Sequence, residues 1–516
     1  MKKSYAFALM SGLLMLGSCA SDAPEYPQMD PIDEEGNIGY IKFTINNSDT
    51  RAAEEDKGTT DESAIDHIDF LFTGVDGKRF KGEAKKADID GNQAVIKLKA
   101  MPKYVAVIVN GNGNYDNITD LTKDEYTVDH YTNPNAGENE QFYMSSTRYY
   151  GTGNQRVYRT DIAANQVFKS EDEAKSASGN KVVSLTVERY VAKVNVKSGI
   201  ELAADGTINP LTDGHEHDVK NNGADAKVTF TPEFVFLTGV NDKTFRVKDL
   251  PSWNDLGEEL QVWHQDAGKR SFWVGKTAGA VRFQTLNMLN GTNTTNADKT
   301  WAKWVKPFEG DGADKVFYPF ENQIPGAEQS DYAKKTSVVV AGKYTVTDAA
   351  GADLADTDGT FYLVAFENNF IVCKTEPDAI KAMGGSETDV LVPEGEGATD
   401  LTQGYSDSSW TGWTGWMKIK GSNNVIRCVK YNGGYGYYSK EIVRFTGAET
   451  YEAIVRNHLY TINIKGISGM GVGIPDPDQP IINIPNPDPT EQNYFLNMSV
   501  TVAPWKVVPA QDAEWK

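Results

Sequence analysis

Apolar and polar positions alternate in short stretches along nearly the whole chain. Over Ile38–Ile45 the side chains of Ile41, Phe43 and Ile45 share one side, with Lys42 and Thr44 on the other. That period of two predicts a half-buried strand. Similar stretches follow at Ile65–Phe72, Ala94–Leu98, Tyr104–Asn110, Gln141–Ser145, Val182–Val196 and Val228–Val240. The second half offers Ser271–Val274, Val316–Glu321, Ser337–Val346, Phe361–Lys374, Val425–Lys430, Tyr435–Phe445 and His458–Ile464. Glycine- and asparagine-rich turns such as Asn110–Asn114 separate some of them. About seven regularly spaced strands in each half predict two tandem β-sandwiches, with a seam between Val240 and Trp263, near Pro251.

The end of the chain departs from this rhythm. Val455–Gly466 reads as a strand running into a glycine turn. Ile474–Thr490 then carries six prolines. Proline donates no ladder hydrogen bond and favours extended polyproline II, so this spacer is expected to stand away from the body. At ~3.1 Å per residue it would reach on the order of 50 Å. Beyond it Tyr494, Leu496, Met498, Val500 and Val502 alternate on one face, with Trp505 following. An apolar strand on a long tether suits pairing with a different molecule, and so polymerisation.

The beginning of the chain indicates export. Lys2 and Lys3 precede the apolar run Tyr5–Leu16, too short for a committed membrane span. The run closes with Leu16-Gly17-Ser18-Cys19, which looks like a lipoprotein signal whose Cys19 sulfur takes a diacylglycerol; an ordinary signal peptide is the alternative. Just past the first strand, Arg51 is the lone basic residue of the polar stretch Asn46–Asp56. It is either a protease site or a plain surface arginine. Cutting there would leave the first strand held only by its ladder and buried face. Its loss would open an apolar groove with unpaired backbone groups, suited to strand addition.

Composition narrows the function further. Net charge is −21 over 516 residues, which argues against nucleic acid or an anionic membrane surface as partner. Besides Cys19 only Cys373 and Cys428 occur, so disulfides do not staple the fold; two buried thiols are expected. Trp410, Trp413 and Trp416, spaced by small residues, suggest either a glycan-binding loop or a cover for a sandwich end, and Trp301 and Trp304 pose the same choice. His215-Glu216-His217-Asp218 lacks a third metal ligand and reads as a solvated loop. The acidic run Asp348–Asp358 has no calcium-loop spacing, and His458 reads as a structural strand residue. There is no Gly-x-Ser-x-Gly elbow, phosphate loop or His-Glu-x-x-His, so neither an enzyme nor a metal or cofactor is expected.

Several segments together resemble one family. After the lipobox and the Thr50-Arg51-Ala52 site come Val187–Val194 (VERYVAKV), Val316–Asn322 (VFYPFEN), Gly434–Tyr438 (GYGYY) and Val455–Tyr460 (VRNHLY). A glycine turn and a last strand with Pro504-Trp505 complete the series. In this order they resemble a Bacteroidales type V fimbrillin, the major-fimbrial-subunit class. The resemblance implies an all-β fold of two tandem transthyretin-like β-sandwich domains of about seven strands each, with a C-terminal donor strand. The implied organisation is a signal peptide over 1–19, a prosegment with a removable first strand over 20–51, sandwiches over 52–250 and 251–473, a spacer over 474–490 and a donor strand over 491–516. It also implies an outer-membrane lipoprotein precursor cut between Arg51 and Ala52 by an Arg-specific surface protease. The strand carrying Ile41, Phe43 and Ile45 would leave. Identical or related subunits would then polymerise as a stalk in extracellular fimbriae, with adhesion to host or bacterial receptors as a further role. A monomeric glycan-binding surface lipoprotein is the alternative.

Overall fold

In a computed structural model, the chain is described over residues 38–47, 56–57, 62, 64–111, 115, 125–126, 142–148, 156–211, 218–241, 243–247, 281–290, 315–323, 334–366, 369–396, 412–423, 425–445, 451–484 and 495–506. It is all-β apart from short helical turns such as Glu376–Ala382. That outcome follows from the alternation above, since a period of two buries one side of a strand and leaves the other for water or a second layer.

The first sheet runs, by pairing, through Arg79–Lys85, His67–Gly74, Pro102–Val109, Met144–Thr147, Val183–Arg189, Gly39–Asn47, Gln93–Leu98 and Ile89–Asp90. One hydrophobic core gathers Ile41, Phe43, Ile45, Phe70, Phe72, Val105, Val107, Leu185 and Val187. A β-carbon on Gly82 would lie 2.7 Å from Ile96, so the Arg79–Lys85 edge folds over towards the far side of the same sheet.

The second core is larger and is bounded by several sheets. One comprises Asp56–Lys57, Phe495–Lys506, His458–Ser468, Lys193–Ser198 and Lys315–Phe317; another Lys227–Thr238, Ser337–Thr347, Tyr435–Glu441 and Val472–Gly473. Val194, Val196, Tyr460, Ile462 and Ile464 from the former share this core with Phe230, Phe236, Val339 and Tyr438 from the latter. A seven-stranded sheet that includes Phe361–Phe366, Cys428–Tyr431 and Gly412–Ile419 adds Leu363, Val429, Trp413 and Trp416.

Two expected single strands are corrected here. Val182–Val196, read as one strand, is two: Val183–Arg189 stays in the first sheet, and Lys193–Ser198 pairs parallel with His458–Ser468. The chain changes sheets at Tyr190–Ala192, where the alternating apolar positions shift from Val183, Leu185 and Val187 to Val194 and Val196. Phe361–Lys374 is likewise a hairpin, Phe361–Phe366 against Asn369–Cys373. Lys227–Thr238 pairs along its length with Ser337–Thr347, and the larger core takes residues from Ala192 onwards.

The proline-rich spacer is the third correction. Its described part does not stand off. Ile474, Ile481, Ile482 and Ile484 are buried in the second core. Backbone bonds join Ile474 N–H to Tyr435 O and Ile481 N–H to Gln284 O. Tyr437 Oη donates to Ile482 O at 2.9 Å, and Thr238 Oγ1 to Ile481 O. Proline withholds a donor but not its neighbours' side chains. The isoleucines between the prolines decide the placement by burial.

Cys373 and Cys428 are buried free thiols. They flank the strand Phe361–Phe366 from opposite sides, with Tyr362 opposite Cys373 and Val364 opposite Cys428. Two strand spacings of ~4.8 Å exceed the ~7 Å limit for a disulfide. The acidic run at Asp348–Asp358 builds turns: Asp348 accepts from Ala352 N–H, Asp353 from Ala355 N–H and Asp358 from Thr360 N–H.

Candidate assembly site

The first strand, Gly39–Asn47, lies in the interior of its sheet. Gln93–Leu98 pairs antiparallel on one edge, from Gly39 opposite Leu98 to Thr44 opposite Gln93. On the other edge Val183–Arg189 pairs parallel, from Phe43 opposite Val183 to Asn47 opposite Val187, and Val167–Phe168 covers Tyr40 and Ile41. Ile41 and Phe43 are 0 % exposed and Ile45 is 2 % exposed. The Phe43 ring sits 4.6 Å from Phe70 and 6.0 Å from Phe72, centroid to centroid. On the outward side Lys42 Nζ donates to the carbonyls of Lys175 and Ala177, at 2.9 and 3.2 Å. These carbonyls end the helix Glu171–Ser176, whose dipole favours a cation there.

Removing this strand would take away the middle of a sheet. It would leave two unpaired edges and a slot lined by Phe70, Phe72, Ile96, Leu185 and Val187. Three buried side chains of this size supply on the order of 5–9 kcal/mol, so the vacated slot would strongly favour another alternating strand.

The terminal strand, Phe495–Lys506, pairs antiparallel along His458–Ser468, from Phe495 opposite Ser468 to Pro504 opposite His458, with an irregularity between Ile464 and Gly466. It therefore sits against its own chain, contrary to the expectation of a strand held clear of the body. Among the described residues its second edge is paired only at Trp505 and Lys506, parallel to Asp56 and Lys57. Leu496, Met498, Val500 and Val502 thus lie in one ladder with one full-length neighbour.

Between the two strands lies a buried polar junction that the sequence reading missed. Glu62 is 1 % exposed, takes Lys193 Nζ at 2.7 Å and the Tyr318 hydroxyl at 2.8 Å, and offers its carbonyl to Arg189 Nε at 2.8 Å. Arg189 Nη1 also donates to Asn457 Oδ1 at 3.3 Å. Asn457 adopts a positive φ of 57°, which a short amide side chain tolerates. Burial pulls the Arg189 guanidinium below its ordinary range, with Glu62 opposing. Beside it Arg456 Nη2 meets Glu321 Oε1 at 2.5 Å and Thr244 Oγ1 at 2.8 Å, and Arg456 Nε meets Glu321 Oε2 at 3.0 Å. Burial pushes the Glu321 carboxyl up while the Arg456 charge pulls it back. The motif Val455–Tyr460 gave the arginine, but only the fold brings Glu321 to it. His458 is a structural residue, its Nδ1 donating to Arg456 O at 2.9 Å.

Trp413 and Trp416 are 4 % and 1 % exposed, within the second core, and Trp413 Nε1 donates to Trp416 O at 3.2 Å. Neither offers a face to a sugar ring, so both are withdrawn as glycan contacts. Cys19, Arg51, Ala52, Trp301, Trp304, Trp410, Tyr494, His215, Glu216 and His217 lie outside the described residues, while Asp218 opens the strand Asp218–Asn221 and pairs with Lys220 at 3.1 Å.

Residues 429–510 match the model of a family described as "Major fimbrial subunit protein type IV, Fimbrillin, C-terminal". The description says type IV where the resemblance above pointed to type V; the fimbrillin family is common to both. No curated protein matches the chain. Solved structures similar to it include a candidate cell adhesion protein from Bacteroides eggerthii, 10% identical, with 94% of this chain and 99% of that one covered and a TM-score of 0.40. A second, from Parabacteroides distasonis, is 13% identical, with 90% and 99% covered and a TM-score of 0.39. The tip fimbrial protein Mfa3 from Porphyromonas gingivalis, with a C-terminal truncation, is 12% identical, with 90% and 99% covered and a TM-score of 0.31. The fold described above stands on this chain's own strand pairing, since these scores all fall below 0.5. Over residues 429–510, then, the chain is similar to the C-terminal part of the fimbrillin family of major fimbrial subunit proteins.

Proposed function

We propose that this protein is a structural, non-enzymatic stalk subunit of a cell-surface fimbria. It is exported as a lipoprotein through Cys19, matured by cleavage between Arg51 and Ala52, and polymerised by donor-strand exchange of Phe495–Lys506. The observation that carries this reading is the place of the first strand. It is an interior strand with a fully buried face, yet only three residues separate its end at Asn47 from Arg51. A single cut would free a strand that the sheet otherwise holds on both edges.

Ladder pairing supplies the direction of exchange. At home the terminal strand has one full-length neighbour, His458–Ser468. In the vacated slot of a second copy it would have Gln93–Leu98 on one edge and Val183–Arg189 on the other. Exchange therefore trades an edge that is largely unpaired among the described residues for two edges and an apolar slot closed. Each additional net hydrogen bond contributes about 1 kcal/mol, and burial in the slot adds more. Adhesion to host or bacterial surfaces is a further part of this reading, in keeping with the cell-adhesion description of the Bacteroides eggerthii protein.

The test uses purified, non-lipidated Ser21–Lys516 treated with an arginine-specific protease, beside Arg51→Ala and a chain lacking Asn493–Lys516. Fibres or a ladder of bands from the parent alone are expected on unboiled denaturing gels and by electron microscopy. Clean loss of the prosegment with only monomer remaining would refute strand exchange.

A further inference from the structure

We propose that Asp56–Lys57 is a clip that holds the terminal strand on its own subunit until the chain is cut at Arg51. This rests on the assembly reading above and adds to it a coupling between emptying the acceptor slot and freeing the donor.

Three placements support the clip. Asp56 and Lys57 pair parallel with Trp505 and Lys506, the last two residues of the terminal strand. They are the only described residues on that strand's outer edge. They also belong to the segment that joins the strand to be removed to the junction residue Glu62. The clip begins nine residues after Asn47 and ends five residues before Glu62.

Both ends of this segment are fixed. Upstream, Gly39–Asn47 is laddered on both edges and buried. Downstream, Glu62 is held by Lys193, Tyr318 and Arg189. A two-residue pairing is weak by itself, because closing a loop to form it costs chain entropy. Anchoring on both sides keeps the clip beside the terminal strand at high effective concentration. Hydrolysis of the Arg51–Ala52 peptide bond adds one water, leaves a carboxylate on Arg51 and an ammonium on Ala52, and removes the upstream anchor. Asp56 and Lys57 then hang from Glu62 alone, four residues from a free end. The pairing opens more often, and the terminal strand frays from its Lys506 end.

Glu62 has a complementary role. It keeps the new N-terminal segment on the body, so the cut product separates into a prosegment that leaves and a short arm that stays. Its partners place it where both strand systems meet: Arg189 ends the strand beside the first strand, and Lys193 opens the strand beside His458–Ser468.

Hydrogen–deuterium exchange on the monomer tests the clip without relying on polymerisation. In the uncleavable Arg51→Ala chain, the pair of changes Asp56→Pro and Lys57→Pro removes both N–H groups of the clip. Amides of 495–506 are expected to exchange roughly tenfold faster, while those of 39–47 are unchanged. The cut parent, kept dilute enough to stay monomeric by light scattering, should show the same increase over 495–506. Unchanged exchange over 495–506 in the proline variant would overturn the proposal, as would a rise shared equally by 39–47. If the cut parent still forms fibres in that case, the assembly reading stands and only the clip fails. Faster exchange over 495–506 without fibres would keep the clip and remove strand exchange.

Discussion

Phe43 of the first strand lies with its ring centroid 4.6 Å from that of Phe70, in the middle of the core that this strand would vacate on maturation. Truncating Phe43 to Ala removes a wholly buried ring and should cost the precursor about 3–5 kcal/mol. In chemical denaturation the precursor midpoint would fall accordingly. After cleavage the weakened prosegment should also leave faster, read as its release on size exclusion. An unchanged midpoint would mean that the strand contributes little to the core.

Arg456 and Glu321 form a buried ion pair at the junction of the two cores, with burial raising the Glu321 carboxyl against the pull of the arginine. Replacing one partner, as in Arg456→Met, strands the other charge and should destabilise by about 3–5 kcal/mol. Replacing both, with Glu321→Leu alongside Arg456→Met, should recover much of that loss. Equal losses in the single and double variants would show that the two side chains act separately.

The buried thiols give a pH dependence of defined sign. Burial pushes Cys373 up to about 11, with Asp378 adding to it, and burial pushes Cys428 higher still. The folded state therefore favours the neutral thiol. Its stabilising share is complete below the ordinary thiol value of about 9 and is lost as pH rises through about 11. Burial similarly raises Tyr435 to about 12, with the nearby Glu233 contributing. The melting temperature should fall between pH 9 and 11, and a thiol reagent at pH 8 should label Ser21–Lys516, which lacks Cys19, only after unfolding. Rapid labelling of the native protein at pH 8 would contradict the buried placement.

Trp416 is 1 % exposed among Phe370 and its core neighbours. Trp416→Ala should cost about 3–5 kcal/mol in denaturation and leave any adhesion to glycan arrays unchanged once corrected for folded protein. Loss of glycan adhesion at full stability would restore the tryptophan cluster as a binding site.

Gly342 stands opposite Pro232, where the pairing of Lys227–Thr238 with Ser337–Thr347 is irregular between Pro232 and Phe234. A β-carbon there would lie 2.1 Å from the Thr231 carbonyl oxygen. Because that neighbour is backbone and the site is interior, Gly342→Ala should lower stability by about 1–3 kcal/mol. A neutral effect on thermal melting would show that the two strands can part locally.

The amino-acid order by itself determined the strand content, the buried face of Ile41, Phe43 and Ile45, and the ladder-forming character of the last strand. Each depends on alternation between neighbouring residues, which a chain carries whatever its fold. It also supplied Arg456 and His458 through a local motif. Other features were decided by residues far apart meeting. The sheet switch at Tyr190–Ala192 leaves only a shift in the phase of the alternation, and the sheets on either side of it were chosen by the fold. The same applies to the spacer, whose prolines argue for extension while Ile481, Ile482 and Ile484 find a core to enter. Trp413 and Trp416 could be read equally as exposed or buried until the sheet that carries them was seen to pack against the second core. The Glu62 junction joins residues as distant as 62 and 318, so no local signal could have announced it. Local periodicity selects the elements, but burial free energy is realised only when distant faces close on one another, and that closure chose the partners.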